Sequence, residues 1–369
     1  MKNNKIKINR YIEKLKPYKI TSQDPWLFNK KDHIEKLDWN EGNYIPDFLK
    51  KEISHILKKN YIFNWYSDYT SYDLHKSLAK YIGVSINNIL SFPGSDSALE
   101  TICRCFIEPE DNVLIPTPTY ENFTVFAESC GAKVINHELK SPYIFDINSI
   151  RDKIKEIKPK VVYLSSPNNP CGYIISPDNI SKMCGEFQNV LFICDHAYIE
   201  FCLDFDCTKL TQIHNNLIIV RTFSKALSLA GIRLGYVISN NVNLQTLSKI
   251  RNGKNISMLS QLIGTSVINN IDKYNKWIEE IIKNRQMTFN ELTSMGIRTY
   301  NSYGNFLLFE IKGATYFLGK IKKEQIYIRD KIISTNGGIR VTISSKSACN
   351  KFLRSVKDFI EDEENKFYF

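Results

Sequence analysis

The sequence has no apolar run approaching the ~18–20 residues that a bilayer requires, so no membrane span is expected. Its nine cysteines contain no CxxC pair and no metal-ligand spacing. The opening MKNNKIKINR is polar and basic and lacks the apolar centre of a secretory signal. Reduced thiols in a cytoplasmic protein are therefore expected. Neither an internal repeat nor a low-complexity linker is present, which sets aside repeat architectures.

What remains has the composition of a folded globular chain. It has 369 residues, 43% of them hydrophobic and 24% charged, with 20 tyrosines and 21 phenylalanines. That length accommodates one large α/β domain and a smaller one, and the aromatic content argues for a sizeable core and against disorder. The net charge of +10, from 49 basic and 39 acidic residues, raises the question of a nucleic-acid partner. The lysines are spread along helical faces such as KEISHILKKN and RDKIKEIKPK, so the excess reads as a solvated basic surface that also suits anionic small substrates.

Between about residues 85 and 240 a rhythm repeats: a short apolar run, a turn, then a helical pattern. The runs are 88–92, 112–117, 133–139, 160–166, 190–195, 217–222 and 233–239. Seven such strands, mostly separated by helix-length segments, predict a mainly parallel sheet covered on both faces. Ligands of open sheets of this kind bind outside the carboxyl ends of the strands. Ser95, Asn169, Asp195 and Lys225 lie at those ends. From about Val242 to Met295 the pattern is helical. The strand-like NFLLFEI, IYIRD and IRVTIS that follow, with a closing helix, predict a small α+β domain. The expected division is an N-terminal arm over 1–35, a large domain over 36–245, and an interdomain helix with a small C-terminal domain over 246–369.

Five segments carry chemistry. In TFSKALSLAGIRLGY, Lys225 stands beside Ser224 and near Thr222, with Arg233 between Gly231 and Gly235. Two hydroxyls and a guanidinium suit a phosphate, although the cluster alone also fits an ordinary loop. In DHAY, Asp195 ends a very apolar strand. It either caps the segment that follows or pairs with a positively charged ring nitrogen, and Tyr198 reaches the same place. SSPNNPCG reads either as a plain turn or as a turn that aims the Asn169 amide at a ligand. FPGSDSALE opens a helix, so its backbone N–H groups and Ser95 face the sheet edge as a ready phosphate site. In PTPTYENF, Tyr120 emerges beside that edge and can stack on a flat ring.

Pyridoxal phosphate requires all of these at once: a lysine that bonds it covalently, a carboxylate at its ring nitrogen, donors to its phenolic oxygen, an aromatic face and a phosphate cup. On these segments the chain resembles the fold type I (class I/II) aminotransferases, within them the histidinol-phosphate aminotransferase-like group. TFSKALSLAGIRLGY follows the family's T-F-S-K-A-x-G-L-A-G-x-R-x-G-Y with Ser228 for a glycine, and PNNPCG follows P-N-N-P-T-G with Cys171. DHAY and GSDS follow D-E-A-Y and G-S-D-E, with His196 and Ser97 in place of acids. The resemblance runs in order from LKPYK through WNEGN, WYSDYTSYDLHKSLA and GNFLLFEI to IRVTIS.

The resemblance implies the fold of the pyridoxal-phosphate-dependent transferases, a seven-stranded sheet with a smaller α+β domain, and it implies roles. Lys225 holds the cofactor and moves the proton at the substrate's Cα, Asp195 keeps the ring nitrogen protonated, Tyr198 and Asn169 hold the phenolic oxygen, and Tyr120 stacks. Ser95, Asp96, Thr222, Ser224 and Arg233 surround the phosphate. Tyr66 reaches the neighbouring subunit's cofactor, which implies a homodimer with shared sites. Arg340 grips the α-carboxylate, while Arg329 and Tyr18 line the substrate pocket. An amino-acid donor such as glutamate and a small carbonyl acceptor follow, the acceptor phosphorylated, as histidinol phosphate or a triose phosphate would be. A decarboxylase of phosphoserine or phosphothreonine would use the same cradle. Trp26 in the N-terminal arm would narrow the pocket for a smaller molecule. A lysine near Arg233 and walled from water is expected to have its charge disfavoured. His196 reads as structural, Cys171 as a small filler, and the aromatics around Tyr66 as interface packing rather than a nucleic-acid surface.

Overall fold

The computed structural model describes residues 6–16, 24–28, 33–141, 143–331 and 338–362. Twelve strands form two sheets among them: β1 (Glu35–Leu37), β2 (Ile89–Phe92), β3 (Asn112–Thr117), β4 (Lys133–Glu138), β5 (Val161–Ser165), β6 (Leu191–Asp195), β7 (Leu217–Thr222), β8 (Gly235–Ile238), β9 (Arg298–Tyr300), β10 (Phe306–Glu310), β11 (Ile326–Asp330) and β12 (Gly338–Thr342). The seven apolar runs read from the sequence build one sheet in the order β2-β8-β7-β6-β5-β3-β4. Only β8 runs antiparallel to its neighbours. The carboxyl ends of β2, β3, β5, β6 and β7 therefore share one edge with the start of β8.

Both faces of this sheet are buried, which is why its strands read as continuous apolar runs. The period of two still sorts the side chains. Val161, Tyr163, Leu191, Ile193, Ile218 and Val220 pack on one face with Leu99, Ile102 and Phe123 from the helices Gly94–Phe106 and Glu121–Ser129. Val162, Leu164, Phe192, Cys194, Leu217 and Ile219 pack on the other, in a core that continues through the helices Met258–Asn269 and Asp272–Ser294 into the smaller sheet. Asp195 keeps the parity of Ile193 and so belongs to the face that carries Tyr163.

The smaller sheet has the order β1-β11-β12-β10-β9, with β1 parallel to β11 and the other pairs antiparallel. Its strand β1 lies within the span 36–245 expected for the larger domain, save Glu35, so the chain enters the smaller sheet before it builds the larger one. β1 and β9 have only three residues each, too few for a periodic signal. Among the described residues no helix is long and apolar enough to cross a membrane. All nine cysteines are free thiols.

Candidate active site

A cavity of about 640 Å³ opens at the shared strand edge, under the smaller sheet. Its size falls in the range of about 300–1,000 Å³ usual for ligand clefts. The strand ends deliver its floor. Asp195, the last residue of β6, is buried; its Oδ2 accepts from the Tyr163 hydroxyl at 2.7 Å and its Oδ1 from the Ala197 N–H at 3.1 Å. Register explains the first contact: Ser165 lies opposite Asp195 and Tyr163 opposite Ile193, so Tyr163 is the diagonal neighbour on the same face. Burial raises the Asp195 carboxyl above its ordinary value, against the lowering effect of the Tyr163 hydroxyl. Tyr163 itself is stacked on Phe123 at 4.0 Å.

Lys225 follows β7 and is half-buried, with its Nζ donating to the Trp39 carbonyl at 2.8 Å. Burial lowers its ammonium from 10.5 to about 8, and the next contribution is the positive charge of Arg340. The cation expected from the sequence was Arg233. That residue instead stands half-exposed, in the left-handed region at φ 51°, with its Nη2 4.0 Å from Asp96 and its Nη1 donating to Ala230 O. Arg340 is the neighbour because the smaller sheet folds over the cavity, a relation with no local signature. Gly94 makes room for Arg233: at φ +84° it takes a conformation side chains avoid, and a Cβ there would meet the guanidinium at 2.5 Å. Thr222 Oγ1 donates to Ser224 Oγ at 3.0 Å, and both residues line the cavity beside Ser95 and Asp96. The Asp96 carboxylate accepts from the Tyr120 hydroxyl at 2.7 Å.

The Asn-Pro turn divides its two asparagines between the turn itself and the cavity. Asn168 braces it, accepting from the Cys171 N–H at 3.0 Å and donating to Thr119 Oγ1 at 3.2 Å. Asn169 faces the cavity and accepts from Arg340 Nη1 at 2.6 Å. Cys171 is buried in that turn, with its thiol pushed up to about 12 by burial. Tyr198 receives Asn40 Nδ2 on its hydroxyl at 3.0 Å, and burial pushes that hydroxyl up to about 12. Asn40 is itself held by Thr342 and Asn305, which ties the cavity floor to β12.

The roof is cationic. Arg329 of β11 lies in register with Arg340 of β12, and Lys331, two residues beyond Arg329, keeps its face. All three line the cavity. The Lys331 Nζ sits 2.7 Å from Glu121 Oε1, at the start of the helix that follows Tyr120.

Of the residues expected at the site, the cavity gathers all but two. Tyr66 is 77% exposed, under the Lys254 ammonium, outside the cavity. Tyr18 lies outside the described residues. Trp26 lines the cavity although it is 62% exposed. His196 has the parity of Cys194 and so lies on the far face, fully buried, 3.3 Å from Cys207 Sγ and 3.6 Å from the Asp206 carboxylate. Sequence reasoning missed Tyr163, Asn40, Glu121 and Lys331. Alternation from Arg329 was an available signal for Lys331.

The sequence profile of the family "Aminotransferase class I and II" matches residues 34–356. The chain belongs to that family. As a member of it, the chain is a pyridoxal-phosphate-dependent aminotransferase of the histidinol-phosphate aminotransferase-like group. This aminotransferase is 32% identical over 365 residues to a dihydroxyacetone phosphate transaminase of Campylobacter jejuni, covering 97% of this chain and 98% of the relative. It is 33% identical over 329 residues to the histidinol-phosphate aminotransferase of a Thermoanaerobacter species, covering 88% and 93%. Its fold matches the crystal structure of the Sinorhizobium meliloti histidinol-phosphate aminotransferase in complex with pyridoxal-5'-phosphate, with a TM-score of 0.85, 23% identity, and coverage of 95% of this chain and 98% of that one.

Proposed function

We propose that this aminotransferase moves an amino group between an amino-acid donor such as glutamate and a small phosphorylated carbonyl acceptor of triose-phosphate size. The observation that carries this reading is the roof, where Arg329 and Arg340 face each other in register with Lys331 beside them. Guanidinium pairs bind carboxylates and phosphates through two parallel hydrogen bonds. Trp26 at the cavity wall favours a small acceptor over one with a bulky imidazole. The similarity to the dihydroxyacetone phosphate transaminase supports the same choice, because it spans nearly all of both chains.

The donor set fits the cofactor. A buried carboxylate at a strand end, a half-buried lysine lining the cavity and a cup of hydroxyls at a helix N-terminus meet its three demands. Bound pyridoxal phosphate supplies the electron sink for the bond that breaks at the substrate's Cα. Lys225, its charge disfavoured by burial, offers a neutral amine to hold the cofactor and afterwards carries the proton to and from the substrate's Cα. Asp195, oriented by Tyr163 and the Ala197 N–H, keeps the ring nitrogen protonated. Tyr198 and Asn169 hold the phenolic oxygen, and Tyr120, steadied by Asp96, stacks on the ring. Ser95, Thr222, Ser224, Arg233 and the N–H groups at Asp96 hold the phosphate. Arg340 takes the α-carboxylate and Arg329 the second anionic group. The exposed aromatics Phe63, Trp65 and Tyr66 form the apolar patch of a homodimer, through which Tyr66 reaches the partner's cofactor. A reducing, cytoplasmic setting suits the nine free thiols.

The test mixes the holoenzyme with glutamate and a panel of phosphorylated ketones and aldehydes, each beside its dephosphorylated counterpart. Formation of 2-oxoglutarate with the phosphorylated members alone is expected. Equal rates with both members of each pair would refute the acceptor class. Carbon dioxide from phosphoserine or phosphothreonine, with no oxo-acid, would assign decarboxylation instead.

A further inference from the structure

We propose that Lys331 is a specificity-determining residue that recognises the second negative charge of the substrate, and that Glu121 holds it as a stand-in anion until substrate arrives. This rests on the reading of the roof as the site of the substrate's anionic group. Lys331 continues the face of β11 that carries Arg329, and its backbone N–H donates to Gly338 O at 2.8 Å, so its position is part of the sheet. Its side chain is only 12% exposed, while that of Glu121 is 62% exposed. A half-solvated carboxylate therefore covers a lysine that is otherwise walled in at the cavity lining.

The charges of this wall support the assignment. Burial raises the cost of ionising Glu121, yet Lys331, Arg329 and Arg340 together hold its carboxyl below the ordinary range, so it senses all three cations. Burial lowers the Lys331 ammonium, with Glu121 the main opposing influence. With Arg340 given to the α-carboxylate and Glu121 displaced, Arg329 and Lys331 present two positive charges. A phosphate monoester carries about −1.5 to −2 at neutral pH, and so matches that pair. Arg329 alone would present a single positive charge, enough for a carboxylate but not for a dianion. Glu121 opens the helix Glu121–Ser129 and Lys331 directly follows β11, so the pair links the edge of the larger sheet to the smaller sheet at the cavity lining. A dianion that enters replaces Glu121 on Lys331 and releases the glutamate to solvent, where its exposure makes the exchange cheap.

Inorganic phosphate, added as a competitive inhibitor of the holoenzyme, isolates this interaction, because the cofactor's own phosphate cup is then filled. Lys331→Gln is expected to weaken phosphate inhibition on the order of 10- to 100-fold, the worth of one charge-assisted contact. Lys331→Arg is expected to restore most of it. Glu121→Gln, which removes the competing anion from an exposed position, is expected to tighten phosphate binding. The same variants raise or lower KM for the phosphorylated acceptor in parallel, with kcat less affected. Unchanged phosphate inhibition in Lys331→Gln would overturn the proposal. If that variant fails to fold or to retain cofactor, Glu121→Gln decides: unchanged or weaker phosphate binding overturns it. A wild-type enzyme indifferent to acceptor phosphorylation would sink the acceptor reading by itself, whereas the phosphate titrations report on Lys331 whatever the acceptor is.

Discussion

Replacing Tyr163 by phenylalanine removes one oxygen from the core and tests the central electrostatic relation of the site. The ring is fully buried and stacked on Phe123 at 4.0 Å with an interplanar angle of 10°, so phenylalanine keeps the packing. The 2.7 Å hydrogen bond to Asp195 Oδ2 is lost, while the 3.1 Å bond from the Ala197 N–H still places the carboxylate. A hydrogen bond to a charged group contributes about 1.5–3 kcal/mol, which corresponds to a factor of roughly 10–150. The expected fall in kcat/KM is of that order, with cofactor content and circular dichroism unchanged. The direction of the pH effect follows from the carboxyl. Burial already raises it and the Tyr163 hydroxyl opposes that rise, so removing the hydroxyl raises it further. Asp195 then takes up its proton at a higher pH, and the acid limb of the kcat/KM profile moves upward. An unchanged rate together with an unmoved acid limb would refute the assignment of Asp195 as the ionised partner of the ring nitrogen.

Lys225→Ala is expected to abolish turnover, and borohydride reduction of the wild-type holoenzyme to leave the cofactor on Lys225 in a peptide map; wild-type rates in the variant would overturn the mechanism. With the Lys225 amine at about 8 against 10.5 for a free lysine, capture of cofactor by the apoenzyme should accelerate as pH rises through about 8, and Arg340→Gln should move that rise to higher pH. Between about 8 and 10.5 the folded apoenzyme binds fewer protons there than the unfolded chain, so this group makes stability increase with pH across that window, measurable by denaturant melts. Ser228 takes the left-handed conformation at φ 55° where the family has glycine, and Gly42 accommodates its hydroxyl. Gly42→Ala would place a Cβ against Ser228 Oγ and is expected to cost about 1–3 kcal/mol in thermal melts. Ser228→Gly in the same chain should recover much of that loss, and additive effects would contradict the contact.

Much of the site was legible because its parts are local. Runs of apolar residues ended by polar ones marked β3 and β7 to the residue, and the strand ends located Asp195 and Lys225. The Asn-Pro turn carried its own turn residues, and the helix beginning at Gly94 follows directly on the apolar run of β2. The residues that were missed act across distance. Asn40 reaches Tyr198 over 158 positions, and Lys331 meets Glu121 over 210. Tyr163 looked like one more core aromatic until the register of β5 on β6 put its hydroxyl on the carboxylate. The two three-residue strands were too short to show a period.

The sequence by itself determined the succession of strands in the larger sheet, the edge at which the reacting groups collect, and the chemistry those groups can perform. Each follows from periodicity and turn residues within a few positions of one another. Tertiary structure alone decided which cation lies beside Lys225, which face of the smaller sheet roofs the cavity, and that His196 turns away while Tyr163 turns in. Those outcomes depend on how one sheet packs over another and on the parity of paired strands. No short stretch of chain encodes the distance between two elements that meet only when folded.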